Sequence, residues 1–396
     1  MRELKIKFII KNIEEIEKSK ALRIYGGFLA LTHIVTWYFW FSAEGFQNIL
    51  LDPLPICWSF MNKCQVYRGW SDTFWESVSY FYLGLSILVS FFFFFTPKVR
   101  VSYFLFLGIT LFKFTLFLAD YRLMGNYHYM PFIVSLFYLL ILDKKNSIMG
   151  SLVVFYISAG LLKLDTEWLS GSALLENFFI GGEVLEWLLA YTIIFEVLVV
   201  SLSLSSSLLL FLFSFPQIIG FHALSWHIVG YFYPCMMFLL LMAFPLFRFK
   251  FNKNKLAFIN DLNIKKASLI SAGILLSIQI LPRVLSPDLA VDSQGRLFTL
   301  NMLDARVQCE HFSYVVSDDG KSIVETSSER DDLGTRISCD PLVYLSEAQR
   351  LCLDSKVKKV PVYLVSKKST HNDWKMVLNY KNYCDENKKV SWWGGL

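Results

Sequence analysis

From residue 24 to residue 285, apolar runs of about 20 residues alternate with short polar breaks, and a run of that length crosses a hydrocarbon core of roughly 30 Å as a helix. The pattern predicts membrane-spanning helices near 24–43, 74–95, 100–119, 128–142, 147–163, 185–202, 205–224, 228–247 and 267–285. The first 23 residues are too charged for a secretory signal and lack a small-residue cleavage site, so they are expected to be a retained amphipathic cytoplasmic segment. Beyond 285 the period shortens. "RLFTLNM" (296–302), "HFSYVVSD" (311–318) and "VPVYLVS" (360–366) alternate as half-buried strands do, and "LSEAQRLCL" (345–353) reads as a helix opened by a serine cap. The expected architecture is an all-α polytopic bundle of about nine spans (24–285), followed by a small α+β domain (286–396).

Composition agrees with a lipid setting: 55% of the 396 residues are hydrophobic, 17% are aromatic and only 18% are charged. A water-soluble chain of this length could not bury so much apolar surface. Lysine and arginine crowd the N-terminal run, the 98–100 and 144–145 turns and the 248–266 loop, roughly fourfold over the opposite loops. That asymmetry predicts a cytoplasmic N-terminus and an extracytoplasmic tail. It also accounts for the formal charge of +5, and no basic stripe interleaved with aromatics suggests a nucleic-acid partner. Six of the seven cysteines (57, 64, 309, 339, 352 and 384) then fall outside, where disulfides, including one between loop and tail, are expected over a metal site because CxxC spacing is absent.

Ionisable groups inside or at the edge of spans are the candidates for chemistry. Lys163, His128, His222 and His227 are all predicted near the same outer level. Each also has a structural reading: Lys163 as a snorkelling side chain or a partner of Asp165 or Glu167, His128 as an interfacial residue, His222 as a core histidine bonded to a carbonyl. Lys113 and Glu196 lie deeper and are expected to pair with each other. No HExxH, Walker glycine loop or GxSxG elbow is present, which excludes the common hydrolase and NTPase chemistries.

"YISAGLLKLDTEWLSG" (156–171) resembles the membrane core of the vitamin K-dependent γ-glutamyl carboxylases, part of the horizontally transferred transmembrane domain group. Ala159, Gly160, Lys163, Leu164, Asp165 and Trp168 match that pattern. "GNYHYMPFIVSL" (125–136) looks like the family's histidine segment, and "FHALSW…YPCMMFLLLMAFPLF" (221–247) is similar to a third one. The resemblance implies Lys163 and His128 as catalytic residues, and His222, Tyr156, Gly160 and Trp168 as contacts to quinol or substrate. It implies a reduced vitamin K or related quinol, oxygen and carbon dioxide as reactants, no metal, and a secreted or membrane-exposed peptide glutamate as acceptor. Burial would lower the lysine's proton affinity and make it a usable base. Two departures stand out: Leu162 precedes Lys163 where the family has a second lysine, and only about 110 residues follow the last span. Alternative readings are a non-carboxylating member that helps mature or export a secreted peptide, and a transporter.

Overall fold

The computed structural model describes residues 2–42, 49, 56–58, 70–172, 174, 180–252, 255–260, 264–285, 291, 300, 307–317, 323–325, 338–353 and 357–386. Helices α1 (Arg2–Glu17), α2 (Lys20–Ser42), α3 (Asp72–Phe95), α4 (Val99–Ala119), α5 (Asn126–Leu140) and α6 (Lys144–Leu162) occupy the first half. A single turn, α7 (Thr166–Leu169), precedes α8 (Gly182–Ile194), which runs on through a wide π turn (Phe195–Val199) and a tight turn (Val200–Leu204). Then come α9 (Leu208–Val229), α10 (Phe232–Leu241), α11 (Ala243–Arg248), a hairpin of β1 (Phe249–Asn252) and β2 (Lys255–Phe258), and α12 (Lys266–Leu285). Helix is the conformation these runs must take in hydrocarbon, because it satisfies every backbone amide internally. Their ends are set by small polar caps: the Ser71 hydroxyl accepts from the Phe74 amide, and that of Ser207 from Leu210.

Helical segments lie within each stretch predicted to span, broken at 205–207 and 230–231. Five segments are long and apolar enough to cross a membrane: Asp72–Phe95, Val99–Ala119, Lys144–Leu162, Gly182–Leu204 and Leu208–His227. The protein is an integral membrane protein by that measure. Among the five, α6 is the inner helix, with 67% of its apolar window buried against 28–44% in the others. It packs on α5, α12 and the π turn. Outward-facing Phe81, Phe95, Trp187 and Leu209 give the ring around it an apolar exterior suited to lipid.

One end of α6 is fastened by α1. Glu15 accepts from the backbone amides of Asp143 (3.1 Å) and Lys144 (2.7 Å), capping the positive helix start with a carboxylate. Ser268 at the start of α12 donates to Asp143 (2.5 Å), so three elements close on one corner.

The other end carries the tail. β3 (Val307–Ser317), β4 (Ile323–Glu325), β5 (Val357–Lys359), β6 (Val362–Lys368) and β7 (Lys375–Tyr380) form an antiparallel sheet in the order β4-β3-β6-β7, with β5 also on β3. β6 buries alternate residues, as its sequence predicts. Of the predicted strand at 296–302, only Leu300 lies among the described residues. The tail helix α13 (Pro341–Leu351) starts earlier than expected, because Asp340 caps it by accepting from the Leu342 amide (3.0 Å) and proline occupies its first turn. Ser346 therefore lies inside the helix, and its hydroxyl accepts from the Cys57 amide (3.0 Å). A last turn, α14 (Tyr383–Glu386), closes the domain.

The four tail cysteines pair among themselves, Cys309 with Cys339 and Cys352 with Cys384, and Cys57 is also disulfide-bonded. The tail's own cysteines thus make no covalent tie to the first loop. Loop and tail are joined by packing instead: Ile56, Trp58 and Tyr121 share a core with Leu342, Val343, Tyr344 and Val360. The Trp58 indole donates to the Phe117 carbonyl (2.6 Å), which seats that core on the end of α4.

Candidate functional site

Lys163 is the residue on which α6 stops, on the side of the bundle that carries the tail. Its side chain is 3% exposed. The ammonium donates to both carboxylate oxygens of Glu196, at 2.7 and 2.6 Å, and lies 5.1 Å from the centre of the Trp168 ring. It neither snorkels nor pairs with Asp165 or Glu167.

Glu196 sits in the π turn, a local widening of the helix that recurs at functional sites and here aims the carboxylate inward. Gly160 permits the approach. A Cβ there would lie 2.8 Å from Val197 Cγ2 and 3.0 Å from Glu196 Cβ, so no larger residue fits without movement. Trp168 is fixed by its indole donating to the Leu189 carbonyl (3.1 Å), which ties α7 to α8. The expected Lys113–Glu196 pair does not form. Glu196 is taken by Lys163, and Lys113 instead donates to the Thr36 hydroxyl (2.9 Å).

Tyr156 precedes Lys163 by two helical turns and faces the same way. Its hydroxyl forms a short hydrogen bond with His222 Nε2 on α9, in place of the expected backbone carbonyl. His222 Nδ1 is buried and has no hydrogen-bond partner among the described residues. The ring of Tyr233 on α10 packs 5.4 Å from His222, and Lys163 and Glu196 lie within electrostatic range of this group. Lys163, Glu196, Tyr156, His222, Tyr233, Trp168 and Gly160 are therefore one cluster.

His128 is elsewhere. It is fully buried on α5, with Nδ1 3.3 Å from the same Thr36 hydroxyl that receives Lys113, and its ring lies 5.1 Å from that of Trp40. Lys163 makes no contact with it among the described residues. His227 is exposed and stacked on Trp226. The four groups predicted at one level therefore separate into an inner cluster around Lys163, a second cluster around Lys113 and His128, and an outward-facing histidine.

Just outside the Lys163 cluster, the tail grips the α6–α7 corner. Lys368 donates to Asp165 (2.5 Å) and lies 3.6 Å from Glu167, while Thr370 donates to Glu167 (2.6 Å). Burial alone would raise the Asp165 carboxyl. Hydrogen bonds from Glu167 and Lys368 outweigh it and hold Asp165 well below the usual carboxylate range. Burial and the neighbouring Asp165 push Glu167 the other way.

Glu196 and Tyr233 were not singled out as site residues by sequence. The available signal was Glu196 itself, the one acidic residue between Trp187 and Gly230. No group of histidine, cysteine and carboxylate side chains capable of holding a metal occurs among the described residues. Comparisons with protein-family models, with curated proteins and with solved structures find no match to this chain.

Proposed function

We propose that this chain is a nine-span membrane enzyme of the vitamin K-dependent carboxylase type, with its N-terminus cytoplasmic and its tail extracytoplasmic, and that the Lys163 cluster is its proton-handling site. The observation that carries the reading is the Lys163–Glu196 pair, buried at the end of the inner helix and backed by Tyr156 and His222. A buried ionisable pair in a membrane bundle is costly, which makes it a candidate for chemistry.

A quinol fits the polar groups present. His222 Nδ1 has no hydrogen-bond partner among the described residues and would be satisfied by a ligand hydroxyl or carbonyl; Tyr233 supplies aromatic surface beside it, and Trp168 beside Lys163. Once bound, a reduced quinol would supply, with oxygen, the reducing power and strong base needed to carboxylate glutamate with carbon dioxide.

The chain's own part is proton transfer. Moving one proton from Lys163 Nζ to a Glu196 oxygen along their hydrogen bond converts an ammonium–carboxylate pair into an amine and a carboxylic acid. The free lone pair on Nζ can then accept a proton from a quinol hydroxyl held at His222. Tyr156 fixes the His222 ring through Nε2 and leaves Nδ1 to the ligand. Gly160 keeps the two backbones close enough for the Lys163–Glu196 transfer to be direct.

A second reading has its own support. Both Glu196 oxygens hold the Lys163 ammonium, which is also how a purely structural ion pair is built. On that reading the chain is a non-carboxylating relative that serves maturation or export of a secreted peptide. The two separate on quinol chemistry. Purified protein in detergent, given reduced phylloquinone and oxygen, is expected to form the quinone epoxide, and Lys163→Met and Glu196→Gln are each expected to lower the rate at least tenfold. Epoxide formation indifferent to both substitutions, or none in a folded wild type, favours the second reading.

A further inference from the structure

We infer that two residues of the tail, Lys368 and Thr370, are positioning residues of the Lys163 site: they hold the α7 turn that keeps Trp168 against the Lys163 ammonium. α7 is one turn of four residues, Thr166–Leu169. A single turn fixes several backbone angles for very few hydrogen bonds, so it has little stability of its own and takes its place from whatever holds it. Its cap is Asp165, which accepts from the Glu167 amide (3.1 Å).

Two elements hold the turn. On the bundle side, the Trp168 indole donates to the Leu189 carbonyl (3.1 Å), and the ring packs with Leu174 and Leu189 in a small core. On the tail side, Lys368 closes β6 and Thr370 follows it by two residues. Lys368 donates to Asp165 (2.5 Å) and lies 3.6 Å from Glu167. Thr370 donates to Glu167 (2.6 Å), and its hydroxyl meets that of Thr166 at 3.3 Å. The side chains of Glu167 and Lys368 are only 4% and 10% exposed. Charged contacts this far out of water are stronger than surface pairs and less screened by salt.

The effect reaches Lys163 through one peptide bond. Glu167 and Trp168 are consecutive, so the carboxylate fixed by the tail moves with the ring that lies 5.1 Å from the Lys163 ammonium. Lys163 ends its helix, where a side chain would ordinarily meet solvent, and the chain turns from it directly into the α7 corner. Without the tail contacts, the turn is left to pivot about the Trp168–Leu189 bond, and the outer side of the Lys163–Glu196 pair opens. The value of this control to catalysis rests on the proton-handling role proposed for Lys163; the positioning itself does not.

The test reads Lys163 directly. The full chain in detergent is treated with a water-soluble amine-acetylating reagent, and modification of each lysine is followed by peptide mass spectrometry. In Lys368→Met/Thr370→Val, Lys163 is expected to react roughly fivefold faster than in the wild type, while Lys113, buried elsewhere in the bundle, stays protected. Lys368→Arg keeps the cation and is expected to keep Lys163 protected. Asp165→Asn/Glu167→Gln keeps α7 capped and every tail side chain in place, and is expected to expose Lys163 in the same way. Unchanged reactivity of Lys163 in both double variants would overturn the inference. So would an equal rise at Lys113, which marks a loosened bundle and not a displaced turn. Epoxide formation, measured in parallel, is expected to fall with the protection of Lys163 and to persist in Lys368→Arg. Exposure of Lys163 in the double variants, with no epoxide from any of the proteins, would uphold the positioning and reject the quinol chemistry.

Discussion

Lys163 and Glu196 are 33 residues apart in sequence and meet at 2.6 Å inside the protein, each less than a twentieth exposed. Removing one partner of such a pair strands the other charge and typically costs about 3–5 kcal/mol, whereas removing both is far milder. Lys163→Met and Glu196→Gln are therefore each expected to lower thermal stability clearly, and the double variant to recover most of the loss. A melting series on the four purified proteins checks this. Additive losses would show that the two side chains are not coupled.

Gly160 is predicted to tolerate no side chain. In Gly160→Ala the new methyl meets Val197 Cγ2 and Glu196 Cβ, and overpacking of this kind costs about 1–3 kcal/mol, more than the gain in helix propensity returns. The π turn is expected to shift and the epoxide rate to fall with it. Adding Val197→Ala relieves the shorter contact and should restore part of both.

The tail depends on its disulfides. Cys309–Cys339 and Cys352–Cys384 close loops of 30 and 32 residues, and each closure contributes about 3–4 kcal/mol by the chain-entropy argument. Reduction in detergent is expected to raise amide exchange across β3, β6 and β7 while leaving α6 protected. Uniform loss of protection in tail and bundle would contradict the separate core that the tail forms with the first loop.

His311 makes the tail sensitive to acid. Its ring is stacked 3.9 Å from Tyr344, both nitrogens are buried with no hydrogen-bond partner among the described residues, and burial lowers its pKa to about 4. The unfolded chain, with an ordinary histidine pKa near 6.5, binds the proton first, so this contribution is complete above about 6.5 and is lost as pH falls through about 4. His311→Phe is expected to flatten the dependence of tail stability on pH in that window, read by amide exchange at pH 7.5, 6 and 5.

The helices were legible because hydrocarbon imposes a length and a composition; the apolar runs fall on helical segments, five of them long and apolar enough to cross a membrane. The strand at 360–366 was legible for the same kind of reason, since β6 buries every second residue. What sequence could not supply was rotation about helix axes. Glu196 points toward Lys163 because a π turn changes the register of its helix, and nothing in "TIIFEVLVV" announces that turn. Lys113 and Glu196 looked like partners by depth alone; in the fold they face different neighbours. His128 and Lys163 share a predicted level for a similar reason and belong to different clusters. Disulfide pairing is likewise a matter of sheet and helix placement, which joins Cys309 to Cys339 across the start of β3 and α13.

If the Lys163 cluster drives carboxylation of peptide glutamate, as proposed, the peptide takes up labelled carbon dioxide. Purified protein receives reduced phylloquinone, labelled bicarbonate and a short glutamate-containing peptide, with Lys163→Ala and its melting curve measured in parallel. Label in the peptide for the wild type, lost in a folded Lys163→Ala, is the predicted result. No label in the folded wild type, or label that survives the substitution, would contradict it.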